Sequence, residues 1–127
     1  MRLLLDTHVF LWVLSNAPRL SAEARERIEA ADAVFVSAAS IWEIAIKAAL
    51  GKLTADPVEC ARAITGSGFL PLPITPEHAA HVASLSDTAM HKDPFDRLLI
   101  AQSMTEPLIL MTADQKMGDY GGLVHLV

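Results

Sequence analysis

Apolar and polar positions follow two rhythms along the chain. Short apolar runs, among them Leu3-Leu4-Leu5, Val34-Phe35-Val36 and Leu108-Ile109-Leu110, are bounded by polar or turn residues and are too brief for helices. Runs of this kind read as buried parallel strands, apolar on both faces. They predict strands over Arg2–Leu5, Ala33–Val36, Phe69–Leu72, Leu108–Met111 and Leu123–Leu126. Between them lie stretches with helical spacing, at about His8–Leu14, Ser21–Ala31, Ala38–Leu50, Pro57–Thr65, Pro76–Leu85 and Pro94–Met104, with a short turn near Gln115. Helix starts are marked by Ser21, Asp56-Pro57, Thr75-Pro76 and Asp93-Pro94, and helix ends by Gly51, Gly66 and Gly68. Residues 118–122 read as a turn into the last strand. Strand and helix in alternation give an α/β fold: a central parallel sheet of about five strands flanked by helices.

Composition sharpens this picture. A chain of 127 residues that is 52% hydrophobic makes one compact domain over residues 1–127, able to bury about two thirds of its unfolded surface. Only 20% of residues are charged and the mean hydropathy is +0.34, so part of the apolar surplus is expected to be covered by a partner or a second copy. The segment Ala38–Leu50 is apolar enough to be covered nearly all round, yet it carries Glu43 and Lys47 and falls short of the ~20 residues of a membrane span. No membrane segment is expected. The first residues lack the basic region and cleavage site of a secretory leader, which points to the cytoplasm. The single Cys60 has no intramolecular partner and reads as a packed or half-exposed thiol. The five histidines are scattered; His78 and His81, three apart, read as exposed or packed side chains.

The acids hold the chemistry. Asp6 follows the first apolar triplet, Asp114 follows the fourth strand, and Glu43 and Asp96 stand on apolar helices between them. Ligands of open α/β folds collect at the carboxyl ends of the strands, so these four acids are expected at one edge. Each has a plainer reading. Asp6 and Asp114 can cap helices or turns, a role worth about 1 kcal/mol. Glu43 can pair with Lys47 one turn on, and Asp93 can cap the helix in which Asp96 is a first-turn acid. A Glu among Ile41, Trp42, Ile44, Ala45 and Ile46 nevertheless needs a cation or donors to stay ionised, which favours a working role for Glu43. Asp93 is assigned to capping and Asp96 to the site.

Three or four carboxylates without a Cys or His framework suit Mg²⁺ or Mn²⁺ rather than zinc. Such a site orients a phosphodiester, lowers the pKa of a bound water and stabilises the leaving oxygen, so phosphodiester hydrolysis is the reaction it best supports. A net charge of −5 weighs against nucleic acid, but neutralising the acids with cations leaves Arg2, Arg19, Lys47, Lys52, Lys92, Arg97 and Lys116 to contact phosphates, with Lys47, Lys52, Lys92, Arg97 and Lys116 the candidate contacts.

Four blocks together, Leu4-Leu5-Asp6-Thr7-His8, Ser40-Ile41-Trp42-Glu43-Ile44, the run from Asp93 to Gln102, and Thr112-Ala113-Asp114, resemble a PIN domain, and more narrowly a VapC-type toxin ribonuclease. The resemblance runs over nearly the whole chain. It implies a PIN-like parallel sheet flanked by helices, a Mg²⁺- or Mn²⁺-dependent endoribonuclease acting on RNA, a homodimer, and a cognate antitoxin. By motif position Asp6, Glu43, Asp96 and Asp114 match the family's four acids and Thr112 the hydroxyl residue beside the last, with Thr7 and Asp93 in support. Two other readings stay open: a PIN-like module that binds RNA or protein without cutting, and a metal-dependent hydrolase of small phosphate esters. No GxxxxGK[ST] loop supports nucleotide binding. A purely structural dimerisation protein would explain the helix around Trp42 but not the acids.

Overall fold

The computed structural model describes residues 1–85, 93–120 and 123–127. Five parallel strands, β1 (Arg2–Leu5), β2 (Ala33–Ser37), β3 (Leu70–Leu72), β4 (Ile109–Thr112) and β5 (Val124–Leu126), form one sheet in the order β3-β2-β1-β4-β5. Helices α1 (Thr7–Ser15), α2 (Ala22–Ala30), α3 (Ala38–Ala49), α4 (Pro57–Gly66), α5 (Pro76–His81) and α6 (Pro94–Thr105) connect them. The chain leaves β1 toward β2 and β3 on one side and later fills β4 and β5 on the other. The order therefore reverses between β1 and β4, where a crevice opens at the carboxyl ends of the strands.

Strand alternation assigns the two faces. Leu3, Leu5, Val34, Val36 and Met111 pack with Val9 and Phe10 of α1, Ala24 of α2, Ile44 of α3 and Ile64 of α4. Leu4 and Leu110 face the other way, against Leu99 and Ile100 of α6 and against Met117 and Tyr120. The same alternation points Ser37 and Thr112, the last residues of β2 and β4, and Asp6, the residue after β1, toward the α6 side. Cys60 is buried in the first cluster.

The predicted elements are present with shifted ends. The expected helix Pro76–Leu85 divides into α5 and a 3-10 turn over Val82–Ser84, and a second 3-10 turn, Gln115–Tyr120, occupies much of the expected 118–122 turn. Gly51 and Gly68 hold φ values of +72° and +80°, the left-handed exits that helix ends require. Helix α3 corrects the expectation of near-complete cover. Its inner face, Ala39, Ser40, Glu43 and Ile44, is buried, while Trp42 is 56% exposed and Leu50 64%. A helix lying on one sheet face buries a single stripe, and the remaining apolar positions stay outside. No helix among the described residues is long and apolar enough to cross a membrane.

A polar network pins α6 to the sheet. Ser37 caps α3 through Ala39 N–H and donates to Gln102 Oε1 at 2.6 Å. Gln102 Nε2 reaches the Pro73 carbonyl at 3.3 Å and His78 Nδ1 at 3.2 Å. Thr75 N–H donates to His78 Nδ1, which leaves the ring proton on Nε2 to donate to Glu106 Oε2 at 2.6 Å. His78 is thus a packed histidine. Gln102→Leu keeps the volume but strands Ser37 and Pro73, and is expected to cost about 2 kcal/mol, measured as a lower urea midpoint at unchanged slope.

Candidate active site

Asp6 and Thr112 are brought together by strand register. Leu5 pairs with Met111 across β1 and β4, so the next residue on each strand, Asp6 and Thr112, share a face. Thr112 Oγ1 donates to Asp6 Oδ2 at 2.6 Å, Thr7 N–H donates to Asp6 Oδ1 at 2.6 Å, and Asp6 N–H is held by the Met111 carbonyl. Asp6 caps α1 and also lines the cleft at the sheet edge. Burial pushes its carboxyl above the ordinary range, the hydrogen bonds from Thr112 and Thr7 working against that shift.

Glu43 enters from α3. Its Oε1 accepts from Thr7 Oγ1 at 2.6 Å and its Oε2 from Lys47 Nζ at 2.7 Å. The buried Thr7 hydroxyl has Ser40 Oγ as its other partner at 2.9 Å. The expected Glu43–Lys47 pair is therefore present, but turned inward, with the Glu43 side chain only 5% exposed. The hydrogen bond to Glu43 raises the Lys47 pKa, and the charges of Glu43, Asp93 and Asp96 add to it.

Asp93 caps α6, its Oδ1 accepting from the N–H groups of Phe95 and Asp96 at 2.9 and 3.1 Å. One turn in, Asp96 meets the other acids. Burial raises its carboxyl to about 8, helped by the charges of Asp6, Asp93, Glu43 and Asp114. Asp114 sits after β4, its N–H donating to Thr112 Oγ1 and its Oδ1 accepting from Lys116 N–H, both at 3.0 Å. The other three predicted acids, Asp6, Glu43 and Asp114, thus act electrostatically on Asp96. They do not converge as ready ligands: among the described residues no three His, Cys, Asp or Glu side chains are placed to hold one ion. The oxygens of Asp6 and Glu43 are engaged by Thr7, Thr112 and Lys47, and Asp114 Oδ1 by the Lys116 amide.

The expected phosphate contacts disperse. Lys47 is committed to Glu43, Arg97 Nη1 donates to Tyr120 Oη at 3.1 Å, Lys116 is exposed beside Asp114, and Lys52 lies beyond the C-terminal end of α3. Lys92 lies outside the described residues. Reasoning from sequence missed Ser40, although its place three residues before Glu43 puts both on one helix face. A cleft of about 340 Å³ adjoins the acids, lined by Asp6, His8, Trp12, Arg19, Ala113 and Asp114.

The model of the PIN domain family matches residues 3–123. The chain belongs to the PIN domain family. This PIN domain is 33% identical over 115 residues, 90% of the chain and 88% of the relative, to Ribonuclease VapC22 of Mycobacterium tuberculosis. Its fold matches the VapBC2 structure from Rickettsia felis bound to a promoter DNA fragment, with a TM-score of 0.71, 14% identity, and cover of 100% of this chain and 98% of that one. A toxin-antitoxin complex from Klebsiella pneumoniae matches with a TM-score of 0.68 and 20% identity, over 97% and 95% of the two chains. These similarities confirm the predicted α/β PIN fold.

Asp96 makes stability depend on pH in metal-free solution. Its folded pKa of about 8 lies above the ordinary 3.8, so the folded chain favours the proton. The stabilisation is complete below about pH 4 and is lost progressively up to about pH 8. Asp96→Asn removes this dependence: in EDTA its melting temperature should exceed that of the parent by several degrees at about pH 8 and by much less at about pH 5.

Proposed function

We propose that this chain is an endoribonuclease, the toxin of a toxin-antitoxin pair, which hydrolyses RNA phosphodiester bonds with Mg²⁺ or Mn²⁺ held by Asp6, Glu43, Asp96 and Asp114. The observation that carries the reading is the mutual influence of these four acids at the carboxyl edge of β1 and β4 in a PIN domain. A relative named as a ribonuclease at 33% identity supports the activity, and structural neighbours that include a toxin-antitoxin complex support a cognate antitoxin as partner.

The donor set fits a hard divalent cation. Every candidate ligand offers oxygen, and like charges crowded in a half-buried space favour a counter-cation. Bound there, such an ion supplies Lewis acidity toward the phosphate and a lowered pKa for attacking water. The chain supplies the positioning. Thr112 and the Thr7 amide fix both oxygens of Asp6, the Thr7 hydroxyl orients Glu43, and the Asp93 cap sets the first turn that carries Asp96. Lys47 offsets acid charge at Glu43 until a cation arrives. Homodimerisation belongs to the same reading. It is supported by exposed Trp42 and Leu50 and by an apolar hollow of about 640 Å³ whose lining includes Ile41, Trp42, Ile64 and Leu72. A cytoplasmic location goes with an RNA substrate.

Purified, partner-free protein incubated with total RNA and with a small phosphate ester, in Mg²⁺, Mn²⁺ or EDTA, tests the proposal. Cutting of RNA in the presence of metal, lost in EDTA and in Asp6→Asn, is the expected result. Ester turnover alone would replace the reading with a phosphohydrolase, and RNA binding without cutting with a silent module. Thr112→Val, which removes a donor to Asp6 and keeps the shape, should lower cleavage by about 10–100-fold. Millimolar Mg²⁺ should raise the melting temperature of the parent and much less that of Asp6→Asn.

A further inference from the structure

The cleft beside the acids is lined unlike the acids themselves. Asp6 and Asp114 contribute its acidic part, and His8, Trp12 and Arg19 the remainder with Ala113. The Arg19 guanidinium carbon lies 5.3 Å from the centre of the Trp12 ring, and the His8 and Trp12 rings are 6.4 Å apart. Arg19 is exposed and, among the described residues, makes no hydrogen bond or ion pair, in a chain with 15 acidic side chains. Its five donors are therefore open to a ligand while its flat face rests on the indole.

The turn that carries Arg19 is tied down. Arg25 of α2 donates to Asn16 Oδ1 at 2.6 Å, to the Ala17 carbonyl at 2.7 Å and to the Leu20 carbonyl at 3.3 Å. Asn16 itself takes the left-handed conformation, φ 50°, that turns the chain out of α1. The Arg25 guanidinium thus spans the segment on both sides of Arg19 and limits where Arg19 can go.

A ligand suited to this cleft carries negative charge for Arg19, a flat ring for the Trp12 and His8 surfaces, and a reacting group that reaches Asp6 and Asp114. Single-stranded RNA has all three within one nucleotide step, since its unstacked bases lie on aromatic side chains and its phosphates recur along the strand. We propose that Arg19 binds the phosphate next to the scissile bond, with Trp12 and His8 as the stacking surface for the adjoining base and Arg25 as the positioning residue. This assignment rests on the ribonuclease reading above.

The test separates the two. In the cleavage-deficient Asp96→Asn background, fluorescence anisotropy with a labelled pool of random-sequence RNA oligonucleotides is measured across salt concentrations. Adding Arg19→Ala should weaken binding about tenfold and lower the slope of log affinity against log salt by about 0.7, the share of one phosphate on a single strand. Arg62→Ala, at an exposed arginine on α4 outside the cleft, is the control and should leave both unchanged. In the active chain, Arg19→Ala should raise KM with kcat nearly constant, and Arg25→Ala should move KM the same way by a smaller factor. Metal-dependent RNA cutting with Arg19→Ala and Arg62→Ala indistinguishable overturns the subsite and leaves the ribonuclease intact. Failure of the parent to cut RNA, with no effect of Arg19→Ala on binding, overturns both.

Discussion

The register between β1 and β4 decides where the charged groups fall. Because Leu5 lies opposite Met111, Asp6 and Thr112 leave the sheet side by side and on the face that α6 covers. A slip of one residue would turn Asp6 into the apolar layer of α1 and α2, where no donor meets it. The buried Leu4 and Leu110, which hold this register from below, therefore support the site as directly as the residues that touch it.

Gathering like charges in one half-buried place opposes folding, and the chain offsets it locally. Two threonines, one backbone amide and one lysine engage the oxygens of Asp6 and Glu43. A mismatch remains at Asp96: burial and the neighbouring acids raise its carboxyl to about 8. An opposite charge brought to these acids would relieve their mutual repulsion.

Much of this was legible in the amino-acid sequence, and for identifiable reasons. Apolar triplets gave the inner strands because both sheet faces are covered, and Asp93-Pro94 marked the start of α6 through a cap that the structure contains. The acids stood out because they follow strand ends or interrupt apolar helices. What escaped is what depends on contacts distant in sequence. Nothing near Gln102 signals that it joins Ser37, Pro73 and His78, and nothing near Arg19 signals a ring seven residues earlier as its support. The cover over α3 was overdrawn because composition counts apolar residues without saying which side of a helix they occupy. Likewise Arg97 finds a partner, Tyr120, that only the fold supplies.

Helices α1, α3 and α6 all begin at the carboxyl edge, capped by Asp6, Ser37 and Asp93. At each start the cap accepts from first-turn N–H groups, and the aligned peptide dipoles give the helix end a partial charge of about +0.5. Three such ends around the acids add a positive field that side-chain counting leaves out. A formal charge of −5 consequently misjudges the potential that an approaching polyanion meets at this edge. The backbone, which no tally of lysines and arginines records, makes the acidic site less repulsive than its composition implies.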